Sequence, residues 1–398
     1  MIKREQYLKI IRPLIDDPLI KVITGMRRVG KSTLLLQIQD ELTLRGISRE
    51  QMISVNFELI GFSELKDANS LYHYLVARLD SKRRYYIFLD EIQEVKGFEK
   101  AINSLNLEYP VDIYITGSNS HLLSGEMASL LTGRFFSIEV YPLSLSEIVQ
   151  GKTGVDANEE FMKFLRYGGM PAIQRFSDQK DLIAGYLSDV YSSILLKDIV
   201  SRYAIRDVDL LERFVHYVMQ NIGQIFSASS IAKFLKSENR SLSRETMYHY
   251  LDACKNAFLF YGAPRFDIRG KSVLKTNEKY FINDLGIRGI FFDNEADIGQ
   301  SLENIVYLEL LRQGYQVYVG QIDAAEVDFI AVKGSTRHYI QVAYLLASQE
   351  TIDREFSALE AIPDNFPKAV LSLDLFDRGR NGIPNLNVVD FLLGKRSL

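Results

Sequence analysis

Gly25-Met26-Arg27-Arg28-Val29-Gly30-Lys31-Ser32 is entered from the apolar run Lys21-Val22-Ile23-Thr24 and left through Thr33-Leu34-Leu35-Leu36-Gln37-Ile38. The run before the loop reads as a strand and the run after it as a helix. In that context two glycines let backbone amides turn inward around phosphate groups, and the helix N-terminus adds positive potential. Lys31 is placed to reach the β- and γ-phosphates of a nucleotide, Ser32 to ligate Mg²⁺, and Met26, Arg27, Arg28, Val29 and Thr33 to line the cradle. A chance match to this eight-residue pattern in a chain of this length has odds of about one in a hundred from average composition.

Working outward, Tyr85-Tyr86-Ile87-Phe88-Leu89 runs straight into Asp90-Glu91. A buried strand ending in two carboxylates suits one acid to the Mg²⁺ shell, Asp90, and the other to polarising the attacking water, Glu91. Either acid alone would read as a surface cap. Further strands are expected at Ile20–Thr24, Met52–Phe57, Asp112–Thr116 and Phe135–Val140, alternating with helical patterns as a parallel α/β sheet requires. The fourth strand leads into Gly117-Ser118-Asn119, where Ser118 or Asn119 either senses the γ-phosphate or caps the helix that starts near His121. Glu58, after the second strand, faces the crevice or caps a loop.

The chain has 398 residues, too many for one comfortable core, with 47% apolar and 25% charged residues and no low-complexity tract. A net charge of −4 supplies no global basic field for nucleic acid, so such binding needs a local patch. One cysteine, Cys254, excludes an intramolecular disulfide framework and a cysteine zinc cluster, which fits a reducing cytoplasmic setting. The five histidines, His73, His121, His216, His249 and His338, show no ligand-like spacing. Met1-Ile2-Lys3-Arg4-Glu5-Gln6 opens no apolar h-region, and no run approaches the roughly 18 residues that cross a bilayer.

From about Leu145 to Tyr203 the strand signal gives way to apolar residues at three- and four-residue spacing, as in Asp181–Ser201, which predicts an all-helical lid or connector. Asp207–Phe281 then reads as three helices and a two-stranded wing, the outline of a winged helix. Its second helical pattern starts at Ser229-Ser230-Ile231 and its third at Ser243-Arg244-Glu245. Lys233, Lys236, Arg240 and Arg244 make a positive stripe, with Arg265, Arg269 and Lys271 on the wing. Such a stripe contacts phosphates without base readout, or is simply a solvated basic face. The last hundred residues predict helix, three strands, helix, strand.

Gly25–Ser32, Leu89-Asp90-Glu91-Ile92-Gln93, Thr116-Gly117-Ser118-Asn119-Ser120, Leu131-Thr132-Gly133-Arg134-Phe135, Tyr141-Pro142-Leu143-Ser144, Tyr167-Gly168-Gly169-Met170-Pro171 and Tyr280-Phe281-Ile282-Asn283-Asp284-Leu285-Gly286 resemble, in that order, a prokaryotic AAA-type P-loop ATPase family. Its members carry a second, poorly characterised carboxy-terminal module. The resemblance implies ATP and Mg²⁺ as ligands and an ASCE-type sheet. It also implies that Arg134 reaches the γ-phosphate of a neighbouring subunit, hence homo-oligomerisation, and that the turn at Gly169 and Pro171 covers adenine. An ion pair at a strand start and a helix-breaking turn are the bland readings of those two features. The last module resembles the restriction-endonuclease-like fold. Glu303 and Asp328 match two elements of its metal site, but Gln341 stands where a carboxylate belongs and Ala343 where a lysine belongs, which counts against nuclease chemistry.

The expected organisation is therefore an ATPase core over 1–144, a helical lid over 145–206, a winged helix over 207–290 and a degenerate nuclease-like α/β domain over 291–398. The expected activity is ATP hydrolysis coupled to binding of DNA, another nucleic acid or a partner protein, without a membrane. A slow nucleotide switch that recruits a protein and an ATP-dependent nuclease are the rivals.

Overall fold

A computed structural model of the chain describes residues 2–80, 82–123, 131, 133–150, 152–177, 179–237 and 240–398. Thr132, part of one family-like motif, lies outside them. The chain divides into two compact units, residues 1–141 with 256–258, and residues 142–255 with 259–398.

The first unit is built on five strands, β1 (Ile20–Thr24), β2 (Met52–Asn56), β3 (Tyr85–Asp90), β4 (Val111–Gly117) and β5 (Phe135–Glu139). All neighbours pair in parallel, in the order β2-β3-β4-β1-β5. The expected strands are all present, with ends within a residue. Because parallel strands need crossovers, helices cover the faces: α1 (Glu5–Ile11), α2 (Lys31–Leu44), α3 (Ala68–Val76) and α4 (Phe98–Glu108). Ile20, Val22, Ile53, Val55, Ile87, Leu89, Ile113 and Ile115 join one core with Leu71, Leu75, Ile102 and Leu105 of two of those helices. β1 lies between β4 and β5, so the strand order reverses there and opens a crevice at the carboxyl end of β1.

The second unit begins with helices α5 (Leu145–Gln150), α6 (Ala157–Tyr167) and α7 (Lys180–Ser193). The expected long helix through Ser201 continues as a π-helical segment over Ile194–Ser201. Helices α8 (Val208–Gln220), α9 (Ala228–Ser237) and α10 (Arg244–Asn256) follow, then the hairpin β6 (Phe260–Asp267) and β7 (Ser272–Ile282). After the short α11 (Leu285–Arg288) come α12 (Ile298–Arg312), β8 (Gln316–Ile322), β9 (Ala325–Lys333), β10 (Thr336–Val342), α13 (Gln349–Glu360), β11 (Lys368–Ser372), β12 (Asn385–Asn387) and α14 (Val388–Leu392).

The hairpin expected as the wing of a separate domain ending at 290 belongs to the same sheet as the carboxy-terminal strands, ordered β12-β11-β10-β9-β8-β6-β7. β6 pairs in parallel with β8, Arg265 opposite Val319 through Asp267 opposite Gln321. A two-stranded hairpin leaves two open edges, and pairing one of them with β8 removes a row of unsatisfied backbone groups. The sheet therefore crosses the expected domain boundary. β12 and α14 were not expected from the pattern.

Two of the family-like motifs, 115 residues apart, meet inside this unit at Asp284. Its Oδ2 accepts from the Gly169 N–H at 2.7 Å, and its Oδ1 accepts from Gly286 and Ile287 at 2.9 and 3.3 Å. A Cβ on Gly168, where φ is +73°, would stand 2.1 Å from Asp284 Oδ1. Burial pushes the Asp284 carboxyl up to about 7 against the pull of these three amides. An asparagine would keep the shape but accept through only one terminal atom, leaving amides facing an NH₂. Asp284→Asn is expected to cost about 1–3 kcal/mol in urea unfolding of the full chain; an unchanged midpoint would show that the carboxylate is not the joint.

Candidate functional site

The loop after β1 turns at Gly25, whose φ of +144° and whose contact, 2.2 Å from a built Cβ to the Val140 carbonyl oxygen, admit no side chain. Gly30, in the left-handed region, caps α2. Met26 and Val29 face the core, whereas Ser32 is exposed at the first turn of the helix and Thr33 half-buried. Arg28 is left-handed, with φ +68°. Lys31 Nζ donates to the carbonyls of Gly25 at 2.9 Å and Met26 at 3.1 Å, so the ammonium sits inside the loop.

β3 and β4 bring the acids beside it. The Ser32 hydroxyl lies near enough to Asp90 to act on its carboxyl, which brings the two expected Mg²⁺ ligands together. The Asp90 carboxylate also accepts from Thr116 Oγ1 and from Asn56 Nδ2 at 3.1 Å. Glu91 adopts φ +55°, and its backbone N–H donates to the same Thr116 Oγ1 at 2.9 Å. Its Oε1 lies 3.6 Å from Lys31 Nζ, and its Oε2 accepts from Gln93 Nε2. Burial drives the Asp90 carboxyl above the usual range despite the Thr116 and Ser32 hydroxyls. Burial works on Glu91 in the same direction, but the Lys31 charge, the Gln93 bond, the Arg27 charge and the Ser118 bond hold it below that range. Glu91 is thus held ionised, the state a general base needs.

Ser118 and Asn119 are buried at the end of β4, and Gln93 Nε2 reaches Ser118 Oγ at 3.5 Å. Glu58 is exposed and pairs with Arg27 at 3.2 Å, a loop contact at the rim. Nothing in the local sequence marks Thr116 or Gln93; that one hydroxyl braces both acids emerges from the parallel register of β3 and β4.

Arg134 sits at the other end of the sheet. Its carbonyl accepts from the Ile20 N–H at 2.8 Å, its guanidinium donates to Asn103 Oδ1 at 2.7 Å, and it is exposed. Five residues of β1 separate it from Gly25. At about 3.3 Å per residue that is roughly 16 Å, beyond the reach of its side chain to the loop of its own chain.

In the second unit, Gly169 spends its N–H on Asp284 and its carbonyl on Leu143 N–H at 2.7 Å, and Pro171 opens a 3₁₀ turn over Pro171–Arg175. The basic stripe is partly neutralised. Arg240 pairs with Asp209 at 2.9 Å, Arg269 with Asp323 at 2.6 Å, and Arg265 donates to Gln321 at 2.6 Å. Lys233, Lys236, Arg244 and Lys271 are exposed.

Of the expected degenerate nuclease site, Glu303 on α12 lies near enough to Asp328 on β9 for their charges to interact, and Gln341 on β10 bonds the Asp328 backbone. Gln341 Oε1 accepts from the Asp328 N–H at 3.1 Å, and Asp328 Oδ2 from the Val342 N–H at 2.8 Å. Ala343, in the lysine's expected place, packs into the core. Lys279, on β7, reaches Glu326 and Glu303, and nothing in its local sequence marks it.

Among the described residues, no helix is long and apolar enough to cross a membrane. Residues 17–149 match the family model described as AAA domain, and residues 158–297 match a domain of unknown function, DUF8612. An uncharacterized protein of Haemophilus influenzae is 40% identical over 402 aligned positions, covering 99% of each chain. One from Methanocaldococcus jannaschii is 29% identical, covering 93% of this chain and 85% of that protein. Among solved structures, the Walker-type ATPase of Pyrococcus abyssi is similar at 16% identity and TM-score 0.47, covering 73% of this chain and 95% of its own. The Orc1 protein of Aeropyrum pernix, solved in complex with DNA, is similar at 13% identity and TM-score 0.34, covering 78% and 94%.

Thr116→Val keeps the shape and removes the hydroxyl shared by Asp90 and the Glu91 amide. The variant is expected to lose about 1–3 kcal/mol of stability in urea unfolding, from two buried groups left without that partner. A full-strength variant would show that the acids are held by their other contacts alone.

Proposed function

Because the chain belongs to the family that joins an AAA domain to a DUF8612 domain, we propose that it binds Mg·ATP at Gly25–Ser32 and hydrolyses it with Glu91 as the base. The observation that carries this reading is the convergence of Lys31, Ser32, Asp90 and Glu91 at the carboxyl ends of β1 and β3. The residues present fit the ligand: a turn closed to side chains, a buried ammonium facing loop carbonyls, and an exposed hydroxyl beside a carboxylate. Mg²⁺ held through Ser32 and Asp90 would neutralise charge on the β- and γ-phosphates.

In this proposal Lys31 leaves the Gly25 and Met26 carbonyls for the phosphates, exchanging neutral acceptors for charged ones. Glu91, ionised and beside Lys31, accepts the proton of the attacking water, while Gln93 and Thr116 hold its side chain and backbone in place. Ser118 and Asn119 are the groups proposed to register the γ-phosphate. Arg134 acts, if at all, on the nucleotide of a second copy, because the length of β1 separates it from its own loop.

The nucleotide state is proposed to gate binding of nucleic acid or of a partner protein by the second unit. Support for the nucleic-acid arm rests on Lys233, Lys236, Arg244 and Lys271, since Arg240, Arg265 and Arg269 already have partners in the fold. Hydrolysis measured with and without DNA, RNA and cell lysate distinguishes the two arms; stimulation by none of them would leave the gating proposal without support.

Lys31→Ala is expected to weaken nucleotide binding at least about tenfold, since it removes the charge that meets the phosphates. Equilibrium titration with a fluorescent ATP analogue reads this directly, and intact affinity would remove the site assignment. Glu91→Gln is expected to bind normally and lose turnover by about 10²- to 10⁴-fold, because the amide cannot take a proton. Unchanged turnover would move the base to another residue.

Arg134→Ala is expected to spare binding and depress multiple-turnover hydrolysis. Mixed with Lys31→Ala chains it should regain part of its activity, since one mutant supplies the intact loop and the other the intact arginine. Normal hydrolysis by a monomeric Arg134→Ala protein would end the proposal that it acts across an interface.

A further inference from the structure

Outside the phosphate loop and its acids, a cluster of charged side chains lies under α12. Lys279, on β7, is only 4% exposed. Its Nζ stands 2.5 Å from Glu326 Oε1 and 3.5 Å from Glu303 Oε2. Asp328, two residues along β9 from Glu326 and on the same face, adds its charge to the ammonium's surroundings. Three carboxylates from one helix and one strand thus gather around a single ammonium from a third element.

We propose that the Lys279 ammonium is the resident cation of the Glu303–Glu326–Asp328 cluster and holds the place that a divalent metal ion would need. The bonding around the acids follows this division. Asp328 turns Oδ2 to the Val342 amide, and Gln341 spends its carbonyl oxygen on the Asp328 amide, so neither offers its full acceptor set to a metal. A hard divalent cation takes six or more oxygens and repels an ammonium at van der Waals distance, so the two exclude each other. Among the described residues, no group of three His, Cys, Asp or Glu side chains is placed to hold a metal.

Charge balance points the same way. Burial would lower the Lys279 ammonium, but Glu303, Asp328 and Glu326 outweigh it and hold the amine protonated above its ordinary range. The lysine thereby staples the edge strand β7 to α12 and β9. It replaces, from a different strand, the residue whose absence at position 343 counted against chemistry, but it works as a plug for the site.

The test titrates Mn²⁺ into nucleotide-free full-length protein, with free Mn²⁺ read by electron paramagnetic resonance and unfolding by circular dichroism. Wild type and Asp328→Asn should bind Mn²⁺ alike. Lys279→Met should gain a site at least about tenfold tighter than any in wild type, with a higher unfolding midpoint in Mn²⁺, and adding Asp328→Asn should abolish the gain. If Lys279→Met does not fold in EDTA, recovery of its helical signal on adding Mn²⁺ counts as the gain, and failure to recover overturns the proposal. It is also overturned if wild type holds a Mn²⁺ ion that Asp328→Asn loses, or if folded Lys279→Met binds no more Mn²⁺ than wild type.

Discussion

Two adjacent carboxylates stand at the end of a buried strand, and an ionised carboxylate removed from water is tolerated only where other groups replace its hydration. The requirement at Asp90 and Glu91 organises the whole upper edge of the first unit. Thr116 must lie opposite on β4 to serve both residues, which the parallel register secures. Asn56 must end β2 beside Asp90, and Lys31 must turn back into its loop to stand 3.6 Å from Glu91. The two acids then diverge, Asp90 pushed up by burial and Glu91 held down by Lys31 and Gln93. The same strand end therefore presents one carboxylate poised between hydroxyl donors and one kept ionised beside a cation.

The second unit applies the same constraint to different ends. Asp284 is compensated by three backbone amides, a solution that needs bare glycine at the approach and so ties Gly168–Gly169 to the turn at Gly286. Its product is a joint between helices and sheet. Asp328 is compensated by one amide and by a lysine two strands beyond β8 in the sheet, and its product is a staple across β7, α12 and β9. Acids that would read alike in a motif are thus separated in role by what neutralises them.

That distinction explains how much was legible in the sequence. The phosphate loop could be read because its parts are contiguous: strand, glycines, lysine, hydroxyl and helix occupy fewer than twenty positions and depend on local backbone geometry. The five parallel strands could be read because both faces are covered and each strand is a nearly continuous apolar run. Arg134 could be found but its placement could not, since its distance from the loop depends on the direction in which β5 pairs with β1. The single sheet of the second unit was hidden because β6 and β8 meet across fifty residues and the pairing is backbone to backbone. Lys279 was hidden for a related reason: a lone lysine in a strand is ordinary until three acids arrive from other elements. The charge of the basic stripe was legible only in part, since Asp209 and Asp323, remote from Arg240 and Arg269 in sequence, take up charge that local counting leaves available.

Lys31 and Lys279 make the comparison sharpest. Both are buried ammonium groups within 4 Å of a glutamate, and charge alone does not tell a nucleotide site from a staple. Access and exchangeable partners do. Lys31 donates to neutral carbonyls that a phosphate outcompetes, in a loop whose neighbouring Ser32 is exposed at the helix start. Lys279 is bound to carboxylates, which no incoming anion improves upon, and its departure would leave the Glu303–Glu326–Asp328 cluster without its cation. A lysine held by weak acceptors at an open edge can change partners during a reaction cycle, whereas one held by the strongest acceptors in a closed cluster stays where it is. By that criterion the ammonium suited to exchanging partners with a phosphate is the one in the first unit, and the ammonium of the second unit is suited to holding strands and helix together.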